Sequence, residues 1–243
     1  MSRKVFISVG EHSGDLHAGS LVDALRALNP EVDIRAMGGS ALRSRGVELI
    51  VDSEKSASVM GFTEVVGRLG KISAALNLVK LELKKWRPDV LVIIDFADFN
   101  LRLAKFARSI GIPVLYFIPP KVWAWRKGRI RTMQKYVDQV AVIFPFEKDY
   151  FEKAGLKRVV YVGHPFLEDF RQAQGEALSR SEFLGSIGLD PDKPLVAVLP
   201  GSRRFEVERH LPLVLDALDL IYERHPEIQA VIPMATNSDS EDL

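Results

Sequence analysis

The segment Val90–Ile94 is an unbroken apolar run, preceded by Pro88-Asp89 and followed at once by the acidic stretch DFADFN. A continuous run of this length suits a strand buried on both faces, as in a parallel sheet covered by helices on each side. The rest of the chain repeats the theme. Val5–Val9, Asp33–Met37, Glu48–Val51, Val114–Ile118 and Gln139–Phe144 read as further strands. Helical patterns over Leu16–Leu28, Gly61–Trp86, Asn100–Ser109 and Ile130–Tyr136 lie among them, and Pro88 stops the longest. Such alternation requires parallel strands joined by right-handed crossovers, so the predicted fold class is α/β with a doubly wound parallel sheet.

Between Gly163 and Gly188 the pattern breaks into the polar stretch FRQAQGEALSRSEF and the turn-forming GLDPDKP. Alternation then restarts with a strand at Leu195–Leu199, a helix at Glu206–Arg224 and a strand beginning at Ala230–Pro233. The expected organisation is an α/β domain over 1–165, a linker or hinge over 166–190, and the start of a second Rossmann-like domain over 191–243. A length of 243 residues corresponds to about 1.6 domains. A single βαβ unit cannot bury its own faces, so the second domain is expected to be incomplete.

Formal net charge is only +1, which provides no overall field for nucleic acid. Cysteine is absent, which removes disulfides, thiolate catalysis and cysteine metal sites together. The start, MSRKVFISVG, is too strand-like for a secretory signal, and no apolar run approaches the roughly 20 residues of a membrane span. The expected location is the cytoplasm, with peripheral membrane contact.

Four loops carry candidate chemistry. GEHSGD at Gly10–Asp15 follows the first strand and opens a helix, where Gly10 and Gly14 let a ligand approach the backbone and Ser13 offers a hydroxyl. Helix capping by Ser13 or Asp15 is the plainer reading. In DFADFN, Asp95 and Asp98 follow the buried strand, and a carboxylate there can take a proton from a sugar hydroxyl. Capping of the following helix by Asp98 accounts for one of the pair, and without a neighbouring histidine the two do not make a metal site. PPKVWAWRKGRIR places Trp123 and Trp125 among Lys121, Arg126, Lys127, Arg129 and Arg131. That mixture suits single-stranded nucleic acid, a phosphorylated sugar or anionic lipid headgroups. LPGSRRFEV at Leu199–Val207 is again strand–loop–helix, with Gly201, Ser202 and Arg203 disposed for a diphosphate.

Two quieter features complete the reading. Met60, Phe62, Val65, Val66, Leu69, Ile72 and Leu76 form an apolar helical stripe, which suits core packing first and a membrane interface second. His164, in GHP at the domain junction, is either a hinge hydrogen-bonder or a cleft residue.

Taken in order, GEHSGD, SVMGFTEV, PDVLVIIDFADFN, VWAWR, PFEK, VGHP and LPGSRRFEV resemble the lipid-A-disaccharide synthase family across nearly the whole chain. The resemblance implies a GT-B glycosyltransferase fold with a cleft between two doubly wound domains. It implies transfer from UDP-2,3-diacylglucosamine to 2,3-diacylglucosamine 1-phosphate (lipid X), giving UDP and the β-1,6 disaccharide 1-phosphate with inversion. Asp98 becomes the candidate base, with Asp95 as its rival. Gly10, Ser13, Gly14, Asp95, Asn100, Trp125, Arg126 and His164 become candidate substrate residues. Gly201, Ser202, Arg203 and Glu206 become candidate UDP residues, the arginine replacing the metal that some transferases use, so no cofactor is expected. Val65, Val66, Leu69 and Ile72 become candidate contacts to an anionic inner-membrane surface. No nucleic-acid partner is implied, and a homodimer is compatible with the family.

The chain also departs from the family. Alanine is usual where this sequence has His12, alanine-proline where it has Phe96-Ala97, and serines where it has Pro119-Pro120-Lys121. Family members continue well beyond this length, and the remainder holds most of the donor site. The competing readings are a lipid-binding remnant without activity and a GT-B transferase for another UDP-sugar.

Overall fold

The computed structural model of the chain describes residues 3–54, 65–124, 128–175, 177–201 and 204–233. Two compact units divide it, Met1–Phe170 and Arg171–Leu243. In the first unit the strands are β1 (Lys4–Val9), β2 (Asp33–Gly38), β3 (Glu48–Asp52), β4 (Val90–Ile94), β5 (Val114–Phe117), β6 (Gln139–Val142) and β7 (Val159–Tyr161). All pair in parallel, in the order β3-β2-β1-β4-β5-β6-β7. The helices are α1 (His12–Leu28), α2 (Ser40–Ser44), α3 (Val65–Trp86), α4 (Ala97–Ser109), α5 (Arg129–Tyr136) and α6 (Pro145–Lys153), with α7 (Phe166–Gly175) running across the division.

The apolar run of β4 behaves as its composition demands. Val92 and Ile94 join Val5, Ile7 and Val9 of β1 against Ala18 and Val22 of α1 and Leu42 of α2. Leu91 and Ile93 face the other way, with Phe6, against Val79 and Leu83 of α3 and Leu103 of α4. Each fully buried aliphatic side chain contributes about 1.5–3 kcal/mol, an upper estimate, so two apolar faces hold the central strands in register. A one-residue slip of either strand would exchange its two faces.

Several boundaries differ from the sequence expectation. α1 begins at His12 rather than Leu16, and α4 at Ala97 rather than Asn100. The first turn of α1 is polar or small, and that of α4 holds Ala97 and Asp98 before its first apolar residue, Phe99, so the apolar periodicity starts late in both. β5 stops at Phe117 because Ile118 has φ 55°, outside any strand conformation. α2, α6 and the edge strand β7 are additional elements, too short for a periodic signal. The stretch expected as a linker holds α7 and α8 (Arg180–Ser186), the latter started by Ser179, whose hydroxyl accepts the Glu182 N–H.

The second unit contains β8 (Leu195–Ala197), α9 (Arg204–Tyr222) and β9 (Gln229–Val231), the two strands pairing in parallel. Leu184, Val198, Val207 and Leu218 are buried. Leu199, Leu213 and Leu220 remain 76, 67 and 63% exposed, because two strands and their helices cannot cover that much apolar surface.

Candidate active site

In the first unit the chain leaves β1 toward β2 on one side and leaves β4 toward β5 on the other. The reversal makes the carboxyl ends of β1 and β4 the topological switch point, where open α/β sheets bind ligands. GEHSGD and DFADFN are the two loops that meet there.

The DFADFN loop is bent tightly. Asp95 and Phe96 both adopt left-handed conformations (φ 47° and 40°), and Ile118, at the end of neighbouring β5, does the same. A β-branched residue in that region is strained, and Asp95, Phe96 and Ile118 place three left-handed positions on adjacent strand ends. The bend lays the Phe96 ring over Gly10, where a Cβ would sit 2.3 Å from a ring carbon. At Gly14 a Cβ would meet Val9 at 2.6 Å. The space gained by these glycines is therefore filled by Phe96 and Val9 rather than offered directly to a ligand.

Asn100 also acts differently from a substrate contact. It is fully buried, and its amide donates to the carbonyls of Ser8, Ile94 and Asp95 while its Oδ1 accepts the Ser8 hydroxyl at 2.7 Å. It ties β1 to the bend after β4. Tyr116, also buried, donates its hydroxyl to the Asp95 carbonyl at 2.9 Å from the other side. Burial pushes the Tyr116 phenol well above its ordinary range, and the negative charge of Asp95 adds to the effect.

Asp98 projects from the first turn of α4, where a carboxylate is favoured by the helix dipole. Phe96, not Asp98, holds the N-cap position. The Asp98 side chain is 68% exposed and accepts from Arg129 Nη2 at 2.7 Å, while the arginine side chain is only 14% exposed. Asp95 is half-buried. Thus Asp98 is the more accessible of the two carboxylates, and it is held by a cation that the fold supplies.

Beside this bend, GEHSGD does more structural work than its motif reading implies. Asp15 is buried and caps α2, accepting the Gly39 and Ala41 N–H groups at 2.7 Å each. Neither Ser13 nor Asp15 caps α1, whose N-cap is Glu11 with no capping bond from its side chain, and Ser13 stays exposed. His12 lies 3.6 Å from Glu54, which also accepts the Ser40 hydroxyl. Burial alone would raise the Glu54 pKa, but the Ser40 bonds, His12 and the charge of Arg43 outweigh it and lower the value.

His164 packs edge-on to His17 (6.0 Å between centroids) and tilts against Phe144 and Phe166, while its Nδ1 accepts the Phe166 N–H. The ring series continues from Phe144 to Phe146 and Trp123. Glu147, buried and unremarked by sequence reading, anchors this series by accepting the Phe144 N–H and the Trp123 indole. Its signal was the PFEK segment, a proline at the first helical position with a glutamate two residues later.

Trp125, Arg126, Ser202, Arg203 and the side chains of Val65, Val66 and Leu69 lie outside the described residues. Ile72, expected at a membrane, packs partly buried against the central core, and the stripe continues as the buried Leu76, Val79 and Leu83. In the second unit, Gly201 has φ 134°, a conformation that suits glycine alone, and a Cβ there would press on Glu206 at 2.6 Å. Among the described residues no helix is long and apolar enough to cross a membrane, and no three His, Cys, Asp or Glu side chains gather as a metal would require.

The fold matches that of solved structures. UDP-GlcNAc 2-epimerase from Neisseria meningitidis bound to UDP-GlcNAc aligns at a TM-score of 0.65 and 13% identity, over 96% of this chain and 66% of that one. The glycotransferase of kitacinnamycin aligns at 0.57 and 16%, over all of this chain and 69% of its own. These likenesses define an α/β architecture of the GT-B type. Sequence narrows the class. The family model for lipid-A-disaccharide synthetase matches residues 5–243. Lipid-A-disaccharide synthase of Geobacter sulfurreducens is 41% identical over 242 residues, and that of Myxococcus xanthus 40% over 240. The chain belongs to the lipid-A-disaccharide synthetase family. It spans 62% and 61% of the length of those two relatives.

Proposed function

We propose that this chain supplies the acceptor side, and the beginning of the donor side, of an inverting glycosyltransferase. The reaction joins UDP-2,3-diacylglucosamine to 2,3-diacylglucosamine 1-phosphate and releases UDP and a β-1,6-linked disaccharide 1-phosphate. The observation that carries this reading is the exposed Asp98 carboxylate, held at the switch point by Arg129, in a member of this family.

Inversion requires a base opposite the leaving group. Asp98 takes the proton of the acceptor 6-hydroxyl as its oxygen attacks the anomeric carbon, and the electron pair of the breaking bond leaves with UDP. Arg129 fixes the direction of the carboxylate, an orientation effect rather than a binding one. Ser13 and Asp95 hold sugar or phosphate at the rim. His164 shapes the wall through its packing with His17 and Phe144. In the second domain, Gly201, Ser202, Arg203 and Glu206 receive the diphosphate, with Arg203 offsetting the charge on departing UDP, so that no metal or other cofactor is called for. Trp125 and Arg126 bind the substrates, which are anionic lipids, and the protein works in the cytoplasm at the inner-membrane surface, with Val65, Val66 and Leu69 as its membrane contacts. A homodimer fits the same reading.

The test is UDP release with both acylated substrates in detergent micelles, compared with the acyl-free donor UDP-N-acetylglucosamine. Release confined to the acylated pair supports the proposal. Equal release with the acyl-free donor points to a transferase of another specificity, and acceptor binding without any release points to a lipid-binding role.

A further inference from the structure

At the opposite edge of the sheet from the switch point, the ends of α4, α5 and α6 and the starts of β6 and β7 surround a cleft of about 410 Å³. Four of its lining residues are cations, Arg108, Lys135, Lys157 and Arg158, and one is an anion, Asp138. In a chain whose formal net charge is +1, this is a marked local concentration of positive charge.

The anion is already satisfied. Asp138 Oδ1 lies 2.9 Å from Arg108, and its Oδ2 accepts the Val114 N–H at 2.8 Å. Helix carbonyl ends account for part of the positive charge, since each favours a cation in its last turn. Arg108 lies in the last turn of α4 and Lys135 in the last turn of α5. Lys157 and Arg158 belong to the loop between α6 and β7, beyond any helix end, and both are exposed. Among the described residues neither one has a carboxylate partner. One wall is rigid. Gln134 donates to the Ala154 carbonyl at 2.7 Å and lies where a side chain at Gly155 would stand, 2.8 Å from its Cβ position. Gly155 itself needs φ 88° to turn the chain there.

We infer that this cleft binds a phosphate-bearing anion, through Lys157 and Arg158 with Lys135 beside them. Low-dielectric walls focus the field of clustered like charges, and a guanidinium fork with flanking ammonium groups matches phosphate oxygens. Nothing in the proposed transfer reaction uses this edge, which lies about 13 Å from the carboxyl edge along the four residues of β6. The source of the phosphate is either a soluble diphosphate or an anionic lipid headgroup, and the two are separable.

The experiment titrates the protein with inorganic pyrophosphate by calorimetry, and in parallel sediments it with phosphatidylglycerol vesicles against pure phosphatidylcholine vesicles. The Lys157→Glu/Arg158→Glu double variant is compared with Lys105→Glu, an exposed charge reversal elsewhere on α4. Loss of pyrophosphate affinity by about tenfold or more in the double variant alone identifies a soluble-phosphate site. Loss of vesicle sedimentation in the double variant alone, without pyrophosphate binding, identifies a headgroup site. Binding of neither probe, or an equal loss in Lys105→Glu, overturns the inference. Circular dichroism of each variant confirms that the fold is intact.

Discussion

Arg129 Nη2 stands 2.7 Å from Oδ1 of Asp98, joining the first turn of α5 to the first turn of α4 across 31 residues of sequence. The cation is largely enclosed and the carboxylate is open, so the fold holds one partner still and presents the other to solvent. This asymmetry is what an oriented base needs. Replacing Arg129 with methionine should lower kcat by about tenfold with a smaller change in KM, because orientation is lost while the carboxylate remains. Lysine at the same position should recover part of the loss. A rise in KM with kcat unchanged would assign Arg129 to substrate binding instead.

Asn100 is the tie between β1 and the bend after β4. Asn100→Ala leaves the Ser8 hydroxyl and buried carbonyls without their partner and should cost about 3 kcal/mol. In urea the midpoint should fall with an unchanged slope. A variant as stable as the parent would mean that these bonds are replaced.

The fit of Gly10 beneath Phe96 predicts a non-additive pair. Gly10→Ala should destabilise by about 2 kcal/mol through overpacking. In a Phe96→Ala background the same change should cost far less, since the opposing ring is gone. A double-mutant cycle measures the difference, and strict additivity would contradict the packing described.

Tyr116 gives the pH dependence a direction. Its phenol is raised above the ordinary value by burial and by the charge of Asp95, so the folded state holds the proton more tightly than the unfolded chain. The associated stability is complete below the unfolded value of about 10 and is lost as pH rises beyond it. Denaturant stability measured at pH 8 and pH 11 should therefore fall more steeply in the parent than in Tyr116→Phe. Parallel declines would show that other groups dominate alkaline unfolding.

Much of this architecture was legible because β4 carries its burial openly: five apolar residues in a row, mostly β-branched and preceded by Pro88-Asp89, favour a strand covered on both faces over a buried helix. The switch-point loops followed from the strand ends. Less legible were features fixed by tertiary geometry. That Asp15 caps a helix formed 25 residues later, or that Phe96 fills the space at Gly10, depends on how loops meet across the sheet. Asn100 looked like a substrate contact because sequence cannot separate a buried amide from a cleft amide. Arg129 was one cation in a basic run until α5 brought it to Asp98. The stripe of α3 was divided between core and membrane readings, and Ile72, Leu76 and Val79 join the core.

The central claim is that Asp98 removes the proton from the attacking hydroxyl. It is tested most directly by the rate of UDP release in Asp98→Asn, with both acylated substrates at saturation and Asp95→Asn measured beside it. General-base catalysis supplies about 10²–10⁴-fold, so Asp98→Asn should lower kcat within that range while acceptor affinity is nearly unchanged. Full turnover in Asp98→Asn, with the loss appearing in Asp95→Asn instead, would contradict the assignment.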